Sequence, residues 1–468
     1  MMSFKFPHLF VFVLLFSAVQ NLAAQVNPPI LTATGNQIYC PGTAIPVVTD
    51  FNIVNGETNA IYIQISSGYV NGQDLLALNT SIPNITSSWN AATGKLTIEG
   101  LNNQNVPYTD LIDAVENVTF NNTSSNPSGS RTFSITVGQA NYLPSNGHYY
   151  QYIPSVGITW TTAEAAAETS TYYGLQGYLA TITAADEAQL VGEQAQGTGW
   201  IGGTDAQTEG TWRWVTGPEA GTVFWNGGTN GSTPNFAFWN TGEPNDLNNE
   251  DYAHITAPGV GIAGSWNDLP VNGSGAPYVP QGYIVEYGGM PGDPVLQISA
   301  STSITIASIT GTTPSSQCGS GSTNIQAVSS GNGVYWYDSP AGGTLLAVGS
   351  VFTTPVLNTT TTYYASAYDS SCPTAPRTAV IAEVNEIPTL TVNPPSSICG
   401  LGTTTLTATP SIGSVQWYTA QTGGTPFAQG NTVTSPEIST TTTFYAQAIN
   451  NGCTSAARQA VTAIVNDV

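Results

Sequence analysis

Positive charge is what this chain has least of. Its 468 residues include 6 Lys plus Arg against 28 Asp plus Glu, a formal net charge of −22. Lys5 lies near the N-terminus, which leaves Lys95, Arg131, Arg213, Arg377 and Arg458 for everything that follows. Cations so scattered make no phosphate-binding stripe, so nucleic acid and anionic membrane surfaces are poor partners and a divalent cation is a better one. Charge of either sign is sparse, 7 % of residues where soluble chains average about 25 %. The chain is still expected to fold, because 40 % of it is hydrophobic and 10 % aromatic, unlike the composition of disordered chains. Histidine is rare too, with His8, His148 and His254 the three. None stands in a pattern with a nucleophile, and His254 lies in an alternating, strand-like run, so no enzyme is expected. Beyond the first residues no apolar run approaches the ~20 needed to cross a bilayer, and no membrane span is expected after removal of a leader.

What is present begins with that leader. Residues 1–24 read as a secretory signal: Lys5, an apolar run from Leu9 to Phe16, and Ala23-Ala24 ahead of Gln25. A secreted or cell-surface protein follows, in a compartment where disulfides persist. Of the 5 cysteines, Cys318 and Cys372 stand 54 residues apart, and so do Cys399 and Cys453. Each interval is read as one bridge. Cys40 is left over and is read as a small, partly buried hydrophobe.

The C-terminal third repeats with a period of 81 residues: Ile306 maps to Ile387, Cys318 to Cys399, Trp336 to Trp417, Tyr364 to Tyr445, Cys372 to Cys453 and Arg377 to Arg458. Within each copy short alternating runs such as Val334-Tyr335-Trp336-Tyr337 are separated by Gly, Asn, Ser and Thr clusters, the rhythm of a β-sandwich. The order Cys, Trp, Cys is immunoglobulin-like, with the Trp expected beside the bridge. The copies resemble the Ig-like modules of Bacteroidetes surface adhesins, which serve as spacers. The first mature segment is also β-like: Ala60-Ile61-Tyr62-Ile63-Gln64-Ile65 alternates, and Asn90 to Lys95 is a turn between Trp89 and Leu96-Thr97-Ile98. From Trp89 to Gly100 and from Val118 to Phe133 it is similar to cadherin-like repeats of bacterial surface proteins. Asp110, Asp113 and Glu116, three residues apart on a short helical stretch, read as a solvated face rather than a metal site.

Residues 141–287 concentrate the chemistry, with seven of the 10 Trp and 14 of the 28 acidic residues but Arg213 as sole Lys or Arg. Trp160 to Ala167 reads as a helix capped by Thr161 or Thr162, with Ala163, Ala166 and Ala167 as its apolar stripe. A second helix is read over Thr183 to Gln194, where Asp186 and Glu187 favour the N-terminus. Short strands follow at Trp200-Ile201-Gly202 and Trp212-Arg213-Trp214, then a long Gly/Asn/Pro-rich region. There Glu243, Asp246, Glu250, Asp251 and Asp268 crowd together among Asn245, Asn248, Asn249 and Asn267. Like charges in a folded loop repel unless a cation sits between them. Mixed carboxylate and amide oxygens are what calcium takes, six to eight at a time, whereas zinc would want more than the imidazole of His254.

Glu243-Pro244-Asn245, Glu250-Asp251 and Trp266-Asn267-Asp268 resemble the calcium and sugar site of C-type lectin domains. Trp160-Thr161-Thr162-Ala163, Gly177 to Ile182, Trp200 to Asp205, Thr208-Glu209-Gly210 and Tyr283-Ile284-Val285-Glu286 stand in that family's order, so the resemblance covers essentially all of 146–287. It implies that Glu243, Asn245, Glu250, Asn267 and Asp268 ligate a principal calcium whose shell two sugar hydroxyls complete. It also implies an auxiliary calcium at Asp205, Glu209, Asp246, Glu250 and Asp251. In the family Pro244 follows a cis bond, and the Glu-Pro-Asn version goes with mannose, fucose, glucose and N-acetylglucosamine. Carboxylates only accept and primary amides donate, so Glu/Asn pairs on one ion can read a diol.

Three departures stand out. The family's two disulfides are replaced by Ala167 with Val285 and Tyr252 with Val271. The step from Asn245 to Glu250 is one residue shorter than in the vertebrate mannose-binding type. The stretch from Val215 to Phe238 is longer than usual, with Trp225, Phe236 and Phe238 placed to cover or extend a sugar groove.

The expected architecture is multidomain and mostly β. Residues 25–140 form a cadherin-like/Ig-like β-sandwich, 141–287 an α+β C-type lectin-like domain, 288–305 a linker, and 306–386 and 387–468 two Ig-like β-sandwich repeats. The expected function is calcium-dependent binding of mannose-type sugars by an extracellular adhesin, with glycans or glycoproteins on cells or extracellular matrix as partners. The rival is a calcium-ordered domain of the same fold that binds a protein or other non-sugar ligand.

Overall fold

The computed structural model describes residues 28–467 except 195–198, 332, 369–371 and 373. The signal read at 1–24 lies outside the described residues. Strands dominate, and the chain is a multidomain, mostly-β protein.

In the first domain the alternation at 60–65 does what period two dictates: Ile61, Ile63 and Ile65 all point into the core. The turn at 90–95 closes a hairpin between Ile85–Asn90 and Lys95–Gly100, with Asn90 paired to Lys95 and Asn90 Oδ1 accepting from the Ala92 N–H at 3.0 Å. The main sheet has six strands, in the order Asn36–Ile38, Ser299–Ile306, Gly129–Thr136, Ala60–Ser67, Lys95–Gly100, Ile85–Asn90. A smaller sheet of Ile45–Pro46, Val118–Asn122 and Asp74–Leu78 belongs to the same domain. Arg131 and Asp74 link the two through a buried ion pair, Nε to Oδ2 2.6 Å. Asp110, Asp113 and Glu116 line the outer side of the helix Tyr108–Glu116, whose buried residues are Leu111, Ala114 and Val115.

The second strand in that order corrects the domain boundaries. Residues 288–305, read as a linker, contain most of Ser299–Ile306, which pairs antiparallel with Gly129–Thr136 over eight residues and buries Ile304 and Ile306 in the first core. The segment between is therefore an insertion in the first sandwich. Its own ends make this possible: His148–Pro154 runs antiparallel to Gly282–Tyr287, with Tyr149 opposite Tyr287, so entry and exit lie side by side.

The inserted domain carries the helix Trp160–Thr169, capped by Thr159 rather than Thr161 or Thr162; the Thr159 hydroxyl accepts from the Thr162 N–H at 3.2 Å. Trp160, Ala163 and Ala167 are buried, and Ala166 only partly. The second helix breaks into Ala185–Ala188 and a wider turn, Gln189–Glu193. Its far end docks on the first domain: Gln189 exchanges hydrogen bonds of 2.9 Å with Gly68 N–H and Tyr69 carbonyl. Where the resemblance implies disulfides, Ala167 and Val285 are fully buried, and Tyr252 lies against Trp160 with ring centroids 4.9 Å apart.

Each repeat is a sandwich around one tryptophan. Trp336 and Trp417 are fully buried and donate to the carbonyls of Gly349 at 2.8 Å and Gly430 at 2.9 Å. The bridges are not those read from spacing. Cys40 bonds Cys372 and Cys318 bonds Cys453, each joining successive modules, while Cys399 is free. Sheet register explains this. Ser315–Cys318 lies parallel to the last strand of its module, Arg377–Asn385, with Cys318 opposite Asn385, whereas Cys372 precedes that strand. The two cysteines thus sit at opposite poles, roughly 26 Å apart at ~3.3 Å per residue, far beyond the ~7 Å a bridge can span. The tryptophans accordingly pack in the module cores, away from the bridges.

Candidate metal and ligand site

The site is built on the strand Trp266–Leu269, whose four residues are all buried. Trp266 anchors it in an aromatic cluster with Trp214, Phe224, Phe236 and Trp239. The next two residues, Asn267 and Asp268, carry polar groups into the base of the loop 240–251. Asp268 organises that loop by accepting from the N–H of Asn245 at 3.0 Å and of Asp246 at 2.8 Å. Glu243 accepts from Asn267 Nδ2 at 3.0 Å and from Asn245 Nδ2. Glu250, also buried, accepts from the Leu247 N–H at 3.2 Å. The Glu243-Pro244 peptide is cis. Asp246, Asn248 and Asn249 adopt positive φ of 51°, 64° and 70°, a conformation that Asp and Asn tolerate better than most residues. Glu243, Asn245, Asn267 and Asp268 are thereby joined in one hydrogen-bonded group, with Glu250 on the same loop.

A second group lies beside it. Ligand oxygens of Asp205, Glu209 and Asp251 fall within 4.8 Å of one another. Asp205 Oδ2 accepts from the Gly210 N–H at 3.0 Å, and its buried Oδ1 has no partner. Asp246 joins the loop to Glu250 by accepting its N–H at 3.0 Å. Among the described residues no Lys or Arg forms an ion pair with any of these carboxylates.

Burial without counter-charge has the expected electrostatic result. Glu243 is pushed up to about 8 by burial and by Asp268. Glu250 rises to about 7 through burial and Asp268, and Asp205 to about 7 through burial, Glu209 and Asp251. An orphaned buried oxygen, crowded carboxylates and neighbouring amides form a hard-oxygen donor set that fits calcium.

Several supporting groups had no sequence signature. Asn240 donates to Asn267 Oδ1 at 3.3 Å and accepts from the Ile262 N–H at 3.1 Å. In the long 215–238 stretch, Thr229 donates to the Pro244 carbonyl at 3.3 Å, tying that stretch to the Glu-Pro-Asn turn. Trp225, Phe236 and Phe238 pack against the aromatic core, which limits what they can offer a groove. Beneath the domain, Tyr150 donates to both Glu187 and Glu286, and His148 Nδ1 lies 2.6 Å from Glu286. The available signal was Glu286 itself, a carboxylate inside the apolar run Tyr283 to Tyr287. His254 is fully buried beside Trp200, its basicity lowered to about 4 by burial, and takes no part in either group.

Comparison with known proteins bears mainly on the flanking modules. A family model described as Ig-like domain, CHU_C associated, matches residues 305–385 and 386–466, so both repeats are Ig-like domains, each starting one residue before the Ile306 and Ile387 that open the repeats in the sequence. Halomucin of Haloquadratum walsbyi (strain DSM 16790 / HBSQ001) is 32 % identical over 305 residues, 62 % of this chain; the chain spans 3 % of that protein's length. Among solved structures the chain is similar to the fibronectin(III)-like modules of Clostridium thermocellum CbhA, at 16 % identity over 35 % of this chain and 95 % of that one, with a TM-score of 0.25. It is similar also to the human scavenger receptor C-type lectin carbohydrate-recognition domain, at 20 % identity over 31 % of this chain and 94 % of that one, with a TM-score of 0.21.

Proposed function

We propose that this chain is an exported, non-enzymatic adhesin whose inserted domain binds calcium and, through it, a mannose-type sugar, while the β-sandwiches act as spacers. The observation that carries this reading is the hydrogen-bonded group of Glu243, Asn245, Asn267 and Asp268, with Glu250 beside it and, among the described residues, no Lys or Arg paired with it. Bound to one ion, acceptor-only carboxylates beside donor amides present matched forks to the hydroxyls of a diol. The carboxylates of Asp205, Glu209 and Asp251, with Asp246 and Glu250, are assigned an auxiliary calcium that orders the loop. Disulfides between modules suit an oxidising, extracellular setting. Among the described residues no helix is long and apolar enough to cross a membrane. Affinity per site is expected to be modest, with firm attachment requiring several copies.

A glycan array read with calcium and again with chelator tests this. Binding to mannose-type glycans that disappears with chelator is expected. Binding that survives chelation, or an empty array in the presence of calcium, overturns the sugar reading; in the second case, calcium-dependent capture of a protein ligand would support the rival.

A further inference from the structure

Both crosslinks have the same design. Each module presents a cysteine at or just beyond the end of a short strand lying parallel to its own last strand, and there receives a cysteine that follows an interior sheet strand of the next module, Thr361–Ser366 or Thr442–Asn450. In the first domain the presenting strand is Asn36–Ile38, parallel to Ser299–Ile306, and Cys40 just beyond it takes Cys372. In the first repeat the strand is Ser315–Cys318, and Cys318 takes Cys453 from the hairpin after Thr442–Asn450.

The second repeat has the same presenting strand, Ile398–Cys399, parallel to Val465–Asn466 with Cys399 opposite Asn466 as Cys318 is opposite Asn385. The local backbone is alike as well: Gly319 and Gly400 have φ of 67° and 69°, and their N–H groups donate to Asn385 and Asn466 at 2.8 and 3.1 Å. What differs is cover. At the first joint the Asn451 side chain donates to Asn385 Oδ1 at 3.3 Å, Asn385 is 8 % exposed, and Ile387 packs over Gly319. At the second, Asn466 is exposed, Cys399 is exposed and unbonded, and two apolar side chains stand beside it in solvent, Leu401 at 67 % and Ile464 at 51 %. The corresponding residues of the first repeat are polar, Ser320 and Glu383.

We infer that Cys399 is an attachment point for a further Ig-like module, through a disulfide to that module's hairpin cysteine, with Leu401 and Ile464 as the apolar bed of the joint. Cys372 and Cys453 are already bonded, so none of the modules described here is the partner. The bond forms by exchange. The Cys399 thiolate attacks the partner cysteine held as a mixed disulfide with a small thiol such as glutathione; one S–S bond forms, one breaks, and the departing thiolate takes up a proton. The oxidant is the small-molecule disulfide that made the mixed species, reduced in the process.

The test extends the full chain with a third copy of residues 386–466 and oxidises it in a glutathione redox buffer. Non-reducing peptide mapping is expected to join Cys399 to the hairpin cysteine of the appended copy, and iodoacetamide labelling is expected to move from Cys399 to that copy's first cysteine. Linked modules meet at effective concentrations on the order of millimolar, so in micromolar solution this pairing should outnumber Cys399-to-Cys399 dimers by roughly a thousandfold. Changing the copy's hairpin cysteine to serine should return Cys399 to the labelled pool with the melting of the repeats unchanged, which separates loss of the bridge from misfolding. Continued labelling of Cys399 in the oxidised extended chain, predominance of Cys399 dimers, or a bridge closed within the appended copy would each overturn the inference.

Discussion

Glu243, Glu250 and Asp205 have pKa values raised to about 8, 7 and 7 by burial and by neighbouring carboxylates. The sign of the consequence follows from proton counting. Between the ordinary carboxylate range and these values the native, metal-free protein binds protons that the unfolded chain has released, so the stability these three groups contribute is fully present below the ordinary carboxylate range and is lost as pH rises to about 7 to 8. Calcium requires the same oxygens deprotonated. Calcium affinity is therefore expected to rise across that window, with proton release on binding. Calorimetry of calcium alone in two buffers of different ionisation enthalpy measures that release; identical apparent enthalpies in both would show that these carboxylates hold no protons. Melting of the chelated protein should show the opposite trend, losing stability as pH rises through that window and levelling off above it.

At the scale of elements, the strand Ser299–Ile306 matters most to architecture, because it closes the first sheet from the far side of an inserted domain. Ile304 is fully buried in the core of that first sandwich. Ile304→Ala is expected to destabilise it by about 2 to 5 kcal/mol. Hydrogen exchange should report the loss in Gly129–Thr136 and Ala60–Ser67, although both precede the substitution by more than a domain. Unchanged protection there would mean the strand is dispensable. The helix cap is a smaller case of the same kind: Thr159→Ala removes the acceptor for the Thr162 N–H and should cost roughly 1 kcal/mol, read from the melting of the inserted domain.

Across the whole molecule the scarcity of positive charge takes on a structural meaning. Arg131 is spent on the buried Asp74, and Lys95 donates to the Gln139 carbonyl at 3.1 Å. Arg377 and Arg458 stack on Tyr337 and Tyr418 at 3.5 and 3.2 Å, and Arg213 donates to the Gly221 carbonyl at 3.3 Å. Each cation of the described chain thus has a contact within the fold, and the carboxylates of the loop have none to draw on. The bridges act at this scale too. Neither closes a loop inside one sandwich, so reduction is expected to loosen the arrangement of modules and leave their cores intact. Small-angle scattering should show a larger radius of gyration while near-UV circular dichroism, dominated by buried residues such as Trp336 and Trp417, stays unchanged; loss of that signal would place the bridges inside the modules' own stability.

The sequence by itself determined the β rhythm, the 81-residue repeat and the position of the aromatic and acidic centre. These are local or periodic properties: alternation sets which side chains point inward, and the crowding of carboxylates in one loop can be read directly from their order in the chain. Even the hairpin at 90–95 and the outer face of the helix Tyr108–Glu116 were legible, since each depends on residues close in the chain. Tertiary structure alone decided what depends on distant neighbours. Equal 54-residue intervals suggested bridges within repeats, yet parallel pairing of Cys318 with Asn385 carries that cysteine to the pole facing the next module. A stretch of Ser and Thr at 299–306 looked like a linker because its alternating Ile304 and Ile306 have meaning only against Gly129–Thr136, more than a hundred residues earlier. Asn240 and Thr229 became part of the site for the same reason: a polar side chain acquires its role from the partner the fold brings within hydrogen-bond distance, and spacing along the chain does not encode that distance.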